Sequence, residues 1–201
     1  MRNNLLLIKF IISLFFATTL FADNLEISSS EIKLNKKDSK IILKGNIKAV
    51  DENKNILKAE EAFYLKDQDL LNSTGLTSII TSENYLLESE NVIFDNKNKV
   101  IKSDFPTKIT DPSGNIFSVK MFNYNSIKNV LFSKGEIKLE DINKNIYKFN
   151  QIYIDEKKKK VIGSDAKVFF NDNKMKADVR NNPRIFANSI SIDEEITSVQ
   201  K

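Results

Sequence analysis

The stretch NKNILKAEEAFYLKD (residues 53–67) returns ninety residues later as NKNIYKFNQIYIDEK (residues 143–157). Each copy begins with a polar Asn/Lys turn, continues with an apolar pair and ends in an alternating run of β character. Sliding the chain against itself by thirty residues fills the gap between them. NILKAEEAFYL from Asn55, YLLESENVIFD from Tyr85, NIFSVKMFNYN from Asn115 and NIYKFNQIYID from Asn145 align without insertion. Gly45, Gly75 and Gly135 share one column of that register, and Phe105 occupies the remaining place. A fixed period of this length marks a stack of similar supersecondary units.

Each unit holds a second β run, of the class SKIILKGNIKAV from Ser39, NSTGLTSIIT from Asn72, NKVIKSDFPTKIT from Asn98, KNVLFSKGEIKLE from Lys128 and KKVIGSDAKVFF from Lys159. DENKN, KDQD, DNKNK, DPSGN, NSIK, DINKN and DEKKKK connect the runs, short Asn/Asp/Lys segments suited to hairpins. No window beyond residue 25 keeps a helical apolar spacing for three turns. The apolar positions form stripes: Leu57, Ala59, Ala62, Tyr64; Leu87, Ser89, Val92, Phe94; Phe117, Val119, Phe122, Tyr124; Tyr147, Phe149, Ile152, Ile154. A spacing of two, three, two keeps one face inward only if each strand carries a bulge or sharp bend. The partner runs supply Ile47 and Ala49, Thr77 and Ile79, Thr107 and Ile109, and Ile137 and Leu139. The result is two apolar walls that must be buried. A sandwich or open jelly roll of antiparallel hairpins is the expected architecture, with a parallel β-helix as the alternative.

Composition narrows the chemistry. The 201 residues contain no Cys and no His, which removes thiol, imidazole and ordinary zinc chemistry, and no cofactor or metal is expected. Glu60 with Glu61, Glu88 with Glu90 and Glu194 with Glu195 read as surface acids, and DPSGN (residues 111–115) as a turn, so the chain is not expected to be an enzyme. Residues 1–22 read as a secretory signal peptide: Arg2, an apolar run from Leu5 to Phe21, and a cut after Ala22. The mature chain, residues 23–201, then carries a formal charge of +2, since the full chain is +4 and the leader contains Arg2, Lys9 and no acid. That balance does not point to nucleic acid, and the lysine run Lys157 to Lys160 reads as a solvated turn.

The unit GNIKAVDENKNILKAEEAFYLKDQD from Gly45, and GEIKLEDINKNIYKFNQIYIDEKKKKVIGSDAKV from Gly135, resemble the repeat of the OstA-like lipopolysaccharide-transport family over residues 28–192. That resemblance implies an open, V-shaped β-jelly roll in the periplasm. Its groove would guide lipopolysaccharide acyl chains, and its strand edges would join other OstA-like proteins into a bridge between the membranes. On this resemblance the groove is lined by Leu57, Tyr64, Leu87, Val92, Phe94, Phe117, Val119, Phe122, Tyr124 and Phe149, with Ile137 and Leu139 opposite. The partner edges would be the N-terminal strand, with Leu25 and Ile27, and RIFANSISI, with Ile185, Ile190 and Ile192. The tail NNPRIFANSISIDEEITSVQ resembles the last strands before the β-barrel of the outer-membrane member, which would tether the domain there. Against the open groove stands a second reading of the same stripes, a structural, secreted β-repeat protein with a dry core. A free-standing periplasmic bridge protein is the third. Lys58 and Lys148 are expected outside the groove, within reach of anionic sugar-phosphate groups.

Overall fold

The computed structural model describes residues 25–35, 39–171, 184–193 and 197–200. The expected signal peptide and Glu194 with Glu195 lie outside the described residues. The strands are β1 (Glu26–Ser28), β2 (Glu31–Asn35), β3 (Lys40–Val50), β4 (Ile56–Leu65), β5 (Leu70–Ile80), β6 (Leu86–Glu90), β7 (Ile93–Asp95) and β8 (Val100–Ser103). They continue with β9 (Thr107–Thr110), β10 (Ile116–Val119), β11 (Phe122–Asn125), β12 (Val130–Glu140), β13 (Ile146–Asp155), β14 (Lys160–Phe169), β15 (Arg184–Ile192) and β16 (Thr197–Gln200). One 3-10 turn, Lys66–Gln68, joins β4 to β5. Among the described residues no helix is long and apolar enough to cross a membrane, which says nothing of strands.

The thirty-residue period governs the backbone. Lys54, Asn84, Gly114 and Lys144 share one turn column and all have positive φ, as do Asp69, Lys99, Asn129 and Lys159 in the turns at the other end of the strands. Only a left-handed residue lets these short loops reverse the chain, and proteins most often meet that demand with Gly or Asn. The glycine column behaves likewise: Gly45, Gly75 and Gly135 have φ of 71°, 73° and 99°, and Asp165 continues it with φ 53°. At Phe105 the chain meets the requirement differently, breaking between β8 and β9 just before Pro106.

The expected bends are present. The stripe spacing of three falls at Ala59 to Ala62, where the β4 register slips, and at the breaks between β6 and β7 and between β10 and β11. The facing strands bulge at the glycine column, between Lys44 and Ile47 and between Lys134 and Ile137. A column of small residues accompanies the bends. Ser73 Oγ accepts from the Val92 amide at 2.9 Å, Ser103 Oγ donates to the Glu90 carbonyl at 2.6 Å, and Ser133 Oγ donates to the Met121 carbonyl at 2.7 Å. These bonds satisfy backbone groups that the broken ladder leaves unpaired inside the fold. Gly163 ends the column, and the Phe149 ring lies against it.

The overall closure differs from the sequence expectation. Every pairing among the described residues is antiparallel, which excludes the parallel β-helix. The expected open V is also corrected, because eight strands close on themselves in the order β5, β6, β9, β10, β12, β11, β8, β7 and back to β5. The long strands β5 and β12 each give one half to either wall: Leu76 to Ile80 pairs β6 while Leu70 to Asn72 pairs β7. β12 divides in the same way between β10 and β11. The result is a closed eight-stranded barrel, extended by β1 to β4 on one side and by β13 to β16 on the other. One continuous core fills it from Leu25 to Ile190.

Candidate functional site

The two rows of turn tips, which the sequence presents as short polar hairpin connections, meet across the barrel and form a polar seam. Its first component is a repeated turn. In Asp51 to Asn55 the Asp51 carboxylate accepts from the Asn55 amide and side chain, both at 2.8 Å. Asp111 with Asn115 and Asp141 with Asn145 repeat this pair. The asparagine oxygen then accepts a backbone amide of the next unit, Ser82 for Asn55 at 3.0 Å and Ile142 for Asn115 at 3.1 Å. At the fourth place Tyr85 replaces the asparagine, and the residue whose amide it would have accepted is Pro112, which has no N–H to satisfy. The ladder is thus broken only where it has nothing to hold.

Its second component comes from the opposite wall. Asn129 donates to Ser82 Oγ at 3.0 Å and to Glu83 Oε1 at 3.2 Å. Lys99, 7% exposed, forms an ion pair with Glu52 at 3.0 Å. The Tyr124 hydroxyl lies 3.1 Å from Glu156 Oε2 and 3.4 Å from Asn55 Oδ1, and with one proton it donates to one of them at a time. Glu156 is 2% exposed, and its second oxygen, Oε1, has no hydrogen-bond partner. Burial drives the Glu156 carboxyl up to about 7 and the neighbouring charge of Glu83 adds to this, while hydrogen bonds from Thr81 and Tyr124 oppose it. Burial likewise pushes the Tyr124 and Tyr85 hydroxyls well above their ordinary range, helped by the carboxylates around them. Tyr64 and Tyr147, with burial again the main cause, rise to about 12.

A carboxyl that titrates near neutrality is suited to proton transfer. Here it faces Tyr124, Thr81 and the turn around Glu83, so its evident effect is on the seam itself. Farther along, at the turns of Asp111 and Asp141, the walls leave a cleft of 420 Å³ facing Lys159, with Phe117 and Leu139 in its floor. A second hollow, of 690 Å³, lies over the bends, where Lys48 and Lys58 stand beside Glu60, Glu88 and Glu90. No cluster of three or more metal-ligating side chains occurs among the described residues.

The residues expected to line a groove all fall on the inward face. Leu57, Leu87, Val92, Phe94, Phe122 and Tyr124 are 0% exposed. Phe117, Val119, Ile137, Leu139 and Phe149 are buried in the same core, and Tyr64 packs half-buried against it, its hydroxyl donating to Asp69 at 2.7 Å. Leu25 and Ile27 lie at the N-terminal end of the sheet, where, among the described residues, β1 pairs β3 alone. The second expected edge is half covered. Ile190 and Ile192 pair Val199 and Thr197 of β16, and Ile185 lies on the half of β15 that β16 does not cover among the described residues. Glu60, Glu61, Glu88 and Glu90 are exposed, and Lys157 to Lys159 form an exposed turn. The sequence reading passed over Glu156, Lys99 and Asn129. The signal available was a turn column that places Glu156 and Asn129 near strand ends, but polar turn residues are ordinarily solvated.

No family model matches the chain, and no curated protein matches it. Among solved structures, it is similar to LptH of Pseudomonas aeruginosa, described as the LptA-homologous periplasmic component of the lipopolysaccharide transport device. The identity is 9%, the match covers 82% of this chain and 94% of that one, and the TM-score is 0.29. The resemblance to the OstA-like family is therefore corrected: the closed barrel differs from the open jelly roll that family membership implies. With it falls the strand-to-strand lipopolysaccharide bridge, since the walls that should stand apart are joined by bends on one side and by the seam on the other.

Proposed function

We propose that this protein is a structural, exported β-repeat protein with a dry core, a rigid scaffold that acts through its outer surface. The observation that carries this reading is the continuous burial of the inward stripes, from Leu57 through Phe94 and Phe122 to Phe149. An interior packed at ordinary protein density has no room for an acyl chain. The reading takes the protein to be no enzyme, in keeping with a buried carboxyl turned to the seam and a sequence without Cys or His. The leader-like composition of residues 1–22 supports export, and we place the protein in the periplasm on that reading. Association with lipid, the coarse form of the partner expectation, then becomes a matter for the outer faces.

The test is titration of the purified protein with a fluorescent fatty acid. No saturable uptake is expected. In parallel, Phe122→Ala should lower the unfolding free energy by about 3–5 kcal/mol, as truncation of a core aromatic does. Saturable uptake that Phe122→Trp abolishes by filling the space would overturn the dry scaffold.

A further inference from the structure

The strand registers place one outward residue from each of nine strands, β3 to β14, in a single row across one wall. Six of them are lysines: Lys48, Lys58, Lys108, Lys138, Lys148 and Lys167. Ser78, Glu88 and Ser118 complete the row, so six lysines stand against one glutamate, a net +5. All six lysines are exposed. Lys48 lies directly opposite Lys58, and Lys148 lies between Lys138 and Lys167. Like charges in directly opposed cross-strand positions are destabilising, and this chain has 27 acidic residues with which to avoid them. Glu88 pairs Lys108 at 3.0 Å and Glu140 pairs Lys138 at 3.1 Å. Among the described residues, Lys48, Lys58 and Lys167 form no ion pair, and Lys148 has only the Phe169 ring, 5.8 Å away. Four of the six lysines are thus left without an ion pair, although Glu60 and Glu90 flank the row near Lys48 and Lys58, and lysines so placed are complementary to an anion that repeats at the same spacing.

The geometry selects the kind of anion. Neighbouring strands are about 4.8 Å apart, so the row runs about 40 Å. A sheet twists by about 20–25° per strand, so over eight steps the row turns through about 160–200°. A flat membrane could touch only a few adjacent lysines of such a row, whereas a flexible linear chain can follow all of it. Across these nine strands the row itself has no aromatic side chain; the rings beside it, Phe169 near Lys148 and the exposed Phe186 opposite Lys167, stand together at its β14–β15 end and do not form the run of platforms on which successive nucleic-acid bases would stack. Its serines instead offer hydroxyls between the charges. A sugar in a linear polysaccharide advances by roughly one strand spacing, so carboxylates on successive sugars would meet successive strands.

We propose that the lysine row on the outer face of β3 to β14 is a docking surface for an acidic polysaccharide laid across the strands. This goes beyond the scaffold function and does not depend on it. Alginate, a polyuronate, is the probe. The wild-type protein should bind it at low salt, with affinity that falls as salt rises. Triple reversal in the row (Lys58→Glu, Lys148→Glu, Lys167→Glu) should weaken binding by about tenfold or more. Triple reversal in the turns (Lys97→Glu, Lys157→Glu, Lys158→Glu) changes the net charge by the same amount and should leave most of the binding. Circular dichroism confirms that both variants fold. Equal loss in the two variants would reduce the effect to net charge and overturn the proposal, as would no binding by the wild type. Row-dependent binding to anionic phospholipid vesicles, or to single-stranded RNA, without binding to alginate would overturn it in favour of that partner.

Discussion

Replacing Glu156 by Gln should remove a pH dependence that the wild-type protein carries across a defined window. Glu156 is 2% exposed, and its Oε1 has no partner, so the folded state favours the protonated acid. Its folded value is raised from 4.5 to about 7. Below pH 4.5 the group is protonated in both folded and unfolded chains and costs nothing. Between 4.5 and 7 the unfolded chain ionises while the folded one resists, so stability falls as pH rises, and above the folded value the loss is complete. At about 1.4 kcal/mol per unit, the shift amounts to about 3 kcal/mol. The other shifted carboxyls act at lower pH: Asp155, where burial is outweighed by hydrogen bonds from the Lys158 amide and side chain, is held below 3.8, so its contribution is lost as pH falls. Glu31, hydrogen-bonded by Lys33, and Glu140, bonded by Lys144 and Lys138, are held below 4.5, and their contribution is lost as pH falls. Urea unfolding followed by far-ultraviolet circular dichroism at a series of pH values reads the effect. The wild type should lose about 3 kcal/mol relative to Glu156→Gln between pH 4.5 and pH above 7, with the two chains converging at the acid end. Parallel pH profiles for the two proteins would refute the reasoning and mean that Glu156 is solvated, so that the seam is not shut around it.

Gly163→Ala should destabilise by about 1–3 kcal/mol, because the new methyl meets the Phe149 ring on the neighbouring strand. Thermal unfolding measures this, and Phe149→Leu in the same chain should recover part of the loss. Asn55→Ala should cost about 3 kcal/mol, since it strips the buried Asp51 of a donor and the Ser82 amide of its acceptor. Faster hydrogen exchange at the Ser82 amide is the local sign to look for, and an unchanged rate would place that bond outside the seam's stability.

Much of this molecule is local and was therefore legible. The inward stripes, the bend that changes their spacing at Ala59 to Ala62, and the turns at each strand end all follow from a period of two and from Asn/Asp turn chemistry. Residues such as Leu57 and Phe122 were placed on the inward face by alternation alone, and they are buried there. Alternation says which face a residue occupies but not what stands opposite it. A groove lining and a dry core share the same pattern, so the step from stripe to lipid path rested on resemblance, and the closed walls overturned it.

The amino-acid sequence by itself determined the thirty-residue unit, its antiparallel hairpins, and the alternation that places apolar residues inside and lysines outside. The tertiary structure alone decided closure, the seam and the lysine row. Tyr124 meets Asn55 across 69 residues and Asn129 meets Ser82 across 47, and Lys48 and Lys167 belong to one row only because nine strands pair in register. Turn chemistry and strand alternation are properties of a few adjacent residues. The distance between two walls, and the charge that accumulates across a sheet, are sums over the whole chain, and no short stretch of it contains them.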